Sequence, residues 1–136
     1  MIPSPLDPRV KVFIVDDSLI VQERLVTMLG ELAGVEVVGQ AETVAEVISG
    51  VRKLQPDVVI LDIQMPDGSG IEVLKNIKQA EAAPIVIILT NYPYQKYRER
   101  CLKAGADFFL DKSIEFDQIP KLLECFKQGR GLTRPC

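Results

Sequence analysis

The sequence predicts an α/β domain built on a doubly wound parallel sheet, and three observations carry that expectation. Five short apolar runs, rich in β-branched or aromatic residues, recur along the chain. Segments of helical period and length lie between and after them. One run, Val58–Leu61, has no polar alternation at all, which marks a strand apolar on both faces and therefore central in a sheet covered on both sides. Strands separated by helices pair in parallel through right-handed crossovers, so helices are expected on both faces.

The first strand is expected over Val10–Val15, followed by a helix whose apolar stripe is Val21, Leu25, Met28, Leu29 and Leu32. A second strand at 35–38 leads to a helix with Val44, Val47, Ile48 and Val51 on one side, opened by Thr43 and Glu46 as a capping box. After the strand Val58–Leu61, helices are expected near 71–77 and 94–102, on either side of a fourth strand at 85–89. Pro84 stands at that strand's start, where proline is tolerated. A fifth strand at 108–110 precedes a last helix with the stripe Ile119, Leu122, Leu123 and Phe126. Pro120 would break a helix interior, so this helix should begin near Asp117, and Gly129 should end it. The domain is thus expected over 10–128, with a proline-rich leader at 1–9 and a frayed tail at 129–136.

Composition narrows the function. A chain of 136 residues fits one domain. The leader MIPSPLDPR lacks the continuous apolar stretch of a secretory signal, and no run approaches membrane-spanning length, so a cytoplasmic location is the expectation. The net charge of -3 gives no electrostatic footprint for nucleic acid, and Lys127, Arg130 and Arg134 make only a thin basic tail. Cys101, Cys125 and Cys136 are odd in number and widely spaced, which argues for ordinary thiols and against a disulfide framework or a zinc site. Histidine is absent, which removes the commonest general base and metal ligand. Chemistry falls to carboxylates, lysine or hydroxyls.

Those groups stand at the ends of the expected strands: Asp16 and Asp17 after the first, Asp62 after the third, Thr90 after the fourth and Lys112 after the fifth. Each alone has a structural reading, as a helix N-cap, a turn hydroxyl or a solvated ammonium. In a parallel sheet, however, all ends of one kind share one edge, and in open α/β sheets that edge is where ligands bind. Three crowded carboxylates repel, and one or more should take up a proton unless a cation neutralises them. Mg²⁺ suits an all-oxygen set of this kind, since it keeps waters and completes its shell with phosphate oxygens. With Lys112 and Thr90 beside it, the rim is suited to a phosphoryl group, and Asp62 can be the nucleophile that becomes an aspartyl phosphate.

With these five positions in order, together with Met65-Pro66 and Gly70 after Asp62, the sequence resembles a response-regulator receiver domain, the CheY-like module of two-component signal transduction. The resemblance covers about 10–127 and implies the flavodoxin-like strand order 2-1-3-4-5. It implies Asp62 as phosphoacceptor, Asp17 as direct Mg²⁺ ligand, Asp16 as an acid holding the ion largely through water, and the Gln64 backbone carbonyl as a further ligand. Thr90 and Lys112 would bind phosphoryl oxygens, and Phe109 matches the aromatic that turns inward on activation. Two positions depart from the common pattern. Ser113 follows the lysine where the family frequently has proline, and Tyr92, which with Gln64 would influence water at the acyl phosphate, is expected to slow hydrolysis by shielding.

The implied function is that of a phosphorelay protein rather than an enzyme, with Mg²⁺-dependent self-phosphorylation and auto-dephosphorylation. Its phosphoryl donor would be a histidine kinase or a His phosphotransfer protein. With no output domain after the last helix, its downstream target is expected to be a protein met in trans, and a phosphorylation-dependent dimer is compatible with this reading. Three alternatives stand beside it. A degenerate receiver would bind a partner without phosphorylation, but commonly loses some of these residues. A hydrolase with an Asp nucleophile usually wants an acid at position 64, where Gln64 stands. A flavin protein would set an anionic cofactor against acidic loops.

Overall fold

The structure, a computed structural model, describes residues 9–65 and 68–129, with the side chains of residues 128 and 129 not included. Residues 1–8 of the expected leader, Pro66 of the Met-Pro motif and the tail from residue 130 onward lie outside the described residues. The element order is β1 (Val10–Val15), α1 (Leu19–Gly30), β2 (Val35–Ala41), α2 (Val44–Leu54), β3 (Val58–Leu61), β4 (Gln64–Met65), β5 (Gly68–Ser69), α3 (Gly70–Ile77), β6 (Ile85–Thr90), α4 (Gln95–Lys103), β7 (Phe108–Asp111) and α5 (Ile119–Gly129). A short 3₁₀ turn, Phe116–Gln118, precedes α5, so Pro120 falls in the first turn of that helix, where its missing N–H costs nothing.

Five strands form one parallel sheet in the order β2-β1-β3-β6-β7, which is the flavodoxin-like order once the small β4–β5 hairpin is set aside. Alternation along each central strand feeds two cores. Phe13, Val15, Val59, Leu61, Val86 and Ile88 pack on one face with α2, α3 and Cys101 of α4. Val12, Ile14, Val58, Ile60, Ile87 and Leu89 pack on the other with Leu25 and Leu29 of α1 and Ile119 and Leu123 of α5. Both faces of β3 are fully buried, as its unbroken apolar sequence required. The Thr43–Glu46 capping box is present, with the Glu46 backbone N–H donating to Thr43 Oγ1 and the hydroxyl to Glu46 Oε1.

Three differences from the sequence-based expectation have local causes. β2 runs to Ala41 rather than stopping at Val38, because its register shifts between Val12 and Phe13 of β1 and pairing then resumes through Gly39 and Gln40. Gly39 is required there, since a Cβ would lie 2.8 Å from the Phe13 ring. The β4–β5 hairpin is too short to leave a periodic signal. Cys101 is a free, buried thiol as expected, whereas Cys125 is disulfide-bonded, which corrects the reading of three ordinary thiols; residue spacing carries no information on which sulfurs meet.

The hairpin returns the chain so that Gly70, the first residue of α3, donates its backbone N–H to Ile63 O at 2.8 Å. A Cβ on Gly70 would collide with the Asp62 carbonyl oxygen and lie 2.6 Å from Ile63 Cα, both rigid backbone. Replacement Gly70→Ala is therefore expected to destabilise the fold by about 2 kcal/mol, despite the better helix propensity of alanine. Urea denaturation of the two proteins measures this; an unchanged midpoint would show that the backbone at Asp62 yields.

Candidate functional site

Asp16 follows β1 directly and is 1% exposed; Asp62 follows β3 and is 5% exposed. Asp17 is exposed beside them, and carboxylate oxygens of all three lie within 4.8 Å of one another. The sheet supplies this convergence: β1 and β3 are paired through Val15 and Leu61, and the ladder continues with the Asp62 N–H on Val15 O at 3.1 Å. Neither Asp16 nor Asp17 caps α1. That role belongs to Ser18, whose Oγ accepts from Val21 N, while Asp16 Oδ1 accepts from Ser18 N at 2.9 Å.

Lys112 closes the site from the other side. Its Nζ stands 2.6 Å from Asp16 Oδ2 and 3.0 Å from Asp62 Oδ2, and all three side chains are under 10% exposed. The pairing of Thr90 with Asp111 brings β7 to this edge, and Lys112 N donates to Thr90 O at 2.8 Å. The loop that follows is tied around Asp111. Its Oδ1 accepts from the Ser113 N–H and hydroxyl, Glu115 Oε1 accepts from Asp111 N, and Ile114 N and Glu115 N both donate to Asp111 O. Ser113, where the family frequently has proline, thus takes part in a hydrogen-bonded turn. The Ser113 hydroxyl and amide hold the Asp111 carboxyl below its ordinary range.

Burial is the leading influence on Asp62 and pushes its carboxyl above the ordinary value of 3.8; the Gln64 amide, on Asp62 Oδ1 at 3.1 Å, and Lys112 act in the opposite direction. Like-charge repulsion from Asp16 is a lesser contribution, so desolvation rather than crowding sets the direction. For Lys112, burial alone would lower the ammonium, but hydrogen bonding and charge from Asp16 and Asp62 together outweigh it and raise its pKa.

The remaining candidate residues are placed as follows. Thr90 is fully buried at the end of β6, and its hydroxyl accepts from Tyr92 N at 2.9 Å. Tyr92 is 42% exposed and begins a row of tilted rings with Tyr94 and Tyr97, at centroid distances of 6.4 and 5.9 Å. Gln64 is exposed in the hairpin, paired with Ser69. Phe109 is only 6% exposed and is covered by Arg98 of α4, whose Nη1 donates to Phe109 O at 3.4 Å. The ring is therefore already inward. Sequence reasoning missed Gln22, a buried amide on α1 that reaches the Asp16 carbonyl; its signal was a polar residue three before Leu25 on the buried stripe.

The donor set is entirely oxygen, two carboxylates are desolvated, and a third is open to solvent, so the cluster fits a hard divalent cation such as Mg²⁺. A redox metal that seeks nitrogen or sulfur would find no such ligand here. The acids and Lys112 also match the requirements of a phosphoryl-binding site, in which positive charge and hydrogen-bond donors are fixed in advance.

Comparison with known proteins agrees with this geometry. The family "Response regulator receiver domain" matches residues 12–124. The chain is 35% identical over 123 residues to the DNA-binding transcriptional activator DevR/DosR of Mycobacterium tuberculosis, covering 90% of this chain and 57% of that protein. It is 36% identical over 122 residues to the transcriptional regulatory protein BtsR of Escherichia coli, covering 90% of this chain and 50% of that one. The chain thus spans little more than half the length of these two curated relatives. Among solved structures it is similar to the response regulator domain of Thermotoga maritima CheB, with a TM-score of 0.79 and 30% identity over 93% of this chain and 99% of that one. It is also similar to the signal receiver domain of NarL from Mycobacterium tuberculosis, with a TM-score of 0.82 and 28% identity over 90% and 99% of the two chains.

Removing the shared cation exposes the electrostatic cost of the cluster. Lys112→Met keeps the stem but leaves two buried carboxylates uncompensated, and should destabilise the protein by about 3 kcal/mol in the absence of divalent ions. Mg²⁺ should restore more stability to Lys112→Met than it adds to the wild type. Thermal melts with and without Mg²⁺ decide this, and equal Mg²⁺ increments in both proteins would show that Lys112 does not balance the cluster.

Proposed function

Because the chain belongs to the response regulator receiver domain family, whose members are signalling proteins rather than classical enzymes, we propose that Asp62 is its phosphoacceptor and that phosphorylation switches a protein-binding surface. The observation that carries the proposal is the bridge of Lys112 Nζ between Asp16 and Asp62 at 2.6 and 3.0 Å, which sets a phosphoryl-binding cation against the carboxylate that would be modified. In the proposed transfer an Asp62 oxygen attacks the phosphorus of a phosphohistidine on a kinase or phosphotransfer partner. The P–N bond breaks with its electron pair returning to the imidazole, and the product is a mixed anhydride. Asp16, Asp17, Asp62 and the Gln64 carbonyl would hold Mg²⁺, which when bound neutralises charge on the transferring oxygens.

The switch follows from where the new charge appears. Lys112 exchanges its Asp62 contact for a phosphoryl oxygen, and the Thr90 hydroxyl, already fixed by Tyr92 N, donates to another. Flipping a two-state element from 1:99 to 99:1 takes about 5.5 kcal/mol, and two or three hydrogen bonds to charged groups at about 1.5 to 3 kcal/mol each are sufficient. Since Phe109 is already inward, the movable part in this reading is Thr90 with its loop and the Arg98 contact that joins Phe109 to α4. The tyrosine row on the β6–α4 loop and α4 would be the surface read by a downstream protein. We propose the domain boundaries 10–128, within which all these groups fall. Among the described residues no helix is long and apolar enough to cross a membrane.

Incubation with a small acyl-phosphate donor should give one phosphoryl adduct by intact mass, dependent on Mg²⁺ and lost in Asp62→Asn. No wild-type adduct, even with a kinase partner, would favour phosphorylation-independent binding instead. Tyr92→Ala should shorten the lifetime of that adduct several-fold, because the half-exposed ring shields the loop beside Thr90; an unaltered decay rate removes Tyr92 from the account.

A further inference from the structure

The buried amide of Gln22 has no part in the phosphoryl chemistry and lies on none of the surfaces considered above. It is 5% exposed on α1, a helix whose other buried residues are Leu25 and Leu29. Burying a polar amide among aliphatic side chains is costly unless its donors are satisfied. Here Nε2 donates to the Asp16 carbonyl at 2.6 Å and to the Ala41 carbonyl at 3.3 Å. Those are backbone oxygens at the ends of β1 and β2, neighbouring strands whose regular pairing stops at Val15 and Ala41. Ala41 O also accepts from Asp16 N at 3.1 Å.

Gln22 therefore extends the β1–β2 ladder by one step, with side-chain N–H groups in place of backbone ones. The same peptide unit carries the acid turn. Asp16 Oδ1 accepts from Ser18 N, Asp16 Oδ2 meets Lys112, and Asp17 follows directly as the exposed member of the carboxylate cluster. Fixing the Asp16 carbonyl fixes ψ of Asp16 and so the direction in which Asp17 leaves the strand. Without the amide, the Asp16 carbonyl loses its 2.6 Å donor and the peptide is free to turn.

We propose that Gln22 is a positioning residue for the divalent-cation site: by clamping the ends of β1 and β2 it holds Asp16 and Asp17 at the spacing the ion requires. The inference rests on the reading of Asp16, Asp17 and Asp62 as an Mg²⁺ site and deepens it. Residues that orient metal ligands without touching the metal are worth about 10- to 100-fold in affinity. A residue that only stabilised the helix would leave affinity unchanged in protein that remains folded.

Gln22→Met, of similar length and without donors, tests this, with Gln22→Leu as its substitute should the first variant not fold and Gln22→Lys to restore an N–H donor. Mg²⁺ affinity is measured calorimetrically without any phosphoryl donor, alongside amide hydrogen exchange of the metal-free proteins. The expected result is an Mg²⁺ Kd raised at least 10-fold, partial recovery in Gln22→Lys, and faster exchange at Ser18 N while Gln64 N, held by Asp62, keeps its protection. An unchanged Kd or an unchanged Ser18 amide in a folded donorless variant overturns the role of Gln22 and leaves the proposed function intact. Failure of the wild type to bind Mg²⁺ removes both the role and the metal site it serves.

Discussion

The structure is organised around one constraint: two carboxylates, Asp16 and Asp62, are held almost completely out of water at the same edge of a sheet. Each buried charge is costly unless paired and hydrogen-bonded. Lys112 bridges both, and the remaining oxygens are met by backbone N–H groups, Ser18 on Asp16 and Gln64 on Asp62. Nothing in that arrangement is local. The acids come from β1 and β3, the ammonium from the end of β7, and only a parallel sheet places those three strand ends on one side. The doubly wound topology is thus a requirement of the site and not merely its support.

Rigidity comes from the two cores. Every central strand gives alternate residues to opposite faces, and a slip of one residue in β3 would exchange Val59 and Leu61 with Val58 and Ile60 between cores that are each already filled. The register that seats these side chains is the register that ends the strand at Asp62. Packing therefore fixes the backbone behind the carboxylate from both sides. Position is then refined by short-range devices at the rim: the glycine that admits α3 against the Asp62 carbonyl, the turn around Asp111, and the clamp from Gln22 to the ends of β1 and β2.

How much of this was legible in the sequence depends on the range of the interaction. β3 was readable to the residue because burial on both faces leaves an uninterrupted apolar run, β1 because its run is broken only by Lys11 near its start, and the five rim residues followed once the strands were known to be parallel. β2 beyond Val38 was not, since Gly39 and Gln40 resemble a turn and pair only because Phe13 needs the space that Gly39 leaves. Gln22 escaped because its partners are backbone carbonyls, to which no residue pattern points. The bond of Lys112 to Asp16 was likewise hidden: sequence placed the two on one edge, but the 2.6 Å contact depends on how the β7–α5 loop turns. Phe109, matched by resemblance to the aromatic that turns inward on activation, is packed in the core beside Arg98, a placement compatible with that role.

The ion pair also explains why such a site can act as a switch. Lys112 is bonded to the carboxylate proposed to react, and burial holds the Asp62 pKa above its ordinary value. In the proposed reaction that carboxylate becomes an uncharged acyl group, joined as a mixed anhydride to a dianionic phosphoryl group farther from the strand. The strongest partner for Lys112 is then the phosphoryl oxygens. Lys112 N is bonded to Thr90 O, and Thr90 Oγ1 holds the Tyr92 amide, so the backbone that carries Lys112 is joined directly to the start of the β6–α4 loop. One lysine thus balances the charge of two buried carboxylates, and in the proposed modified state the same ammonium, already 3.0 Å from Asp62, is in place to meet the new phosphoryl oxygens.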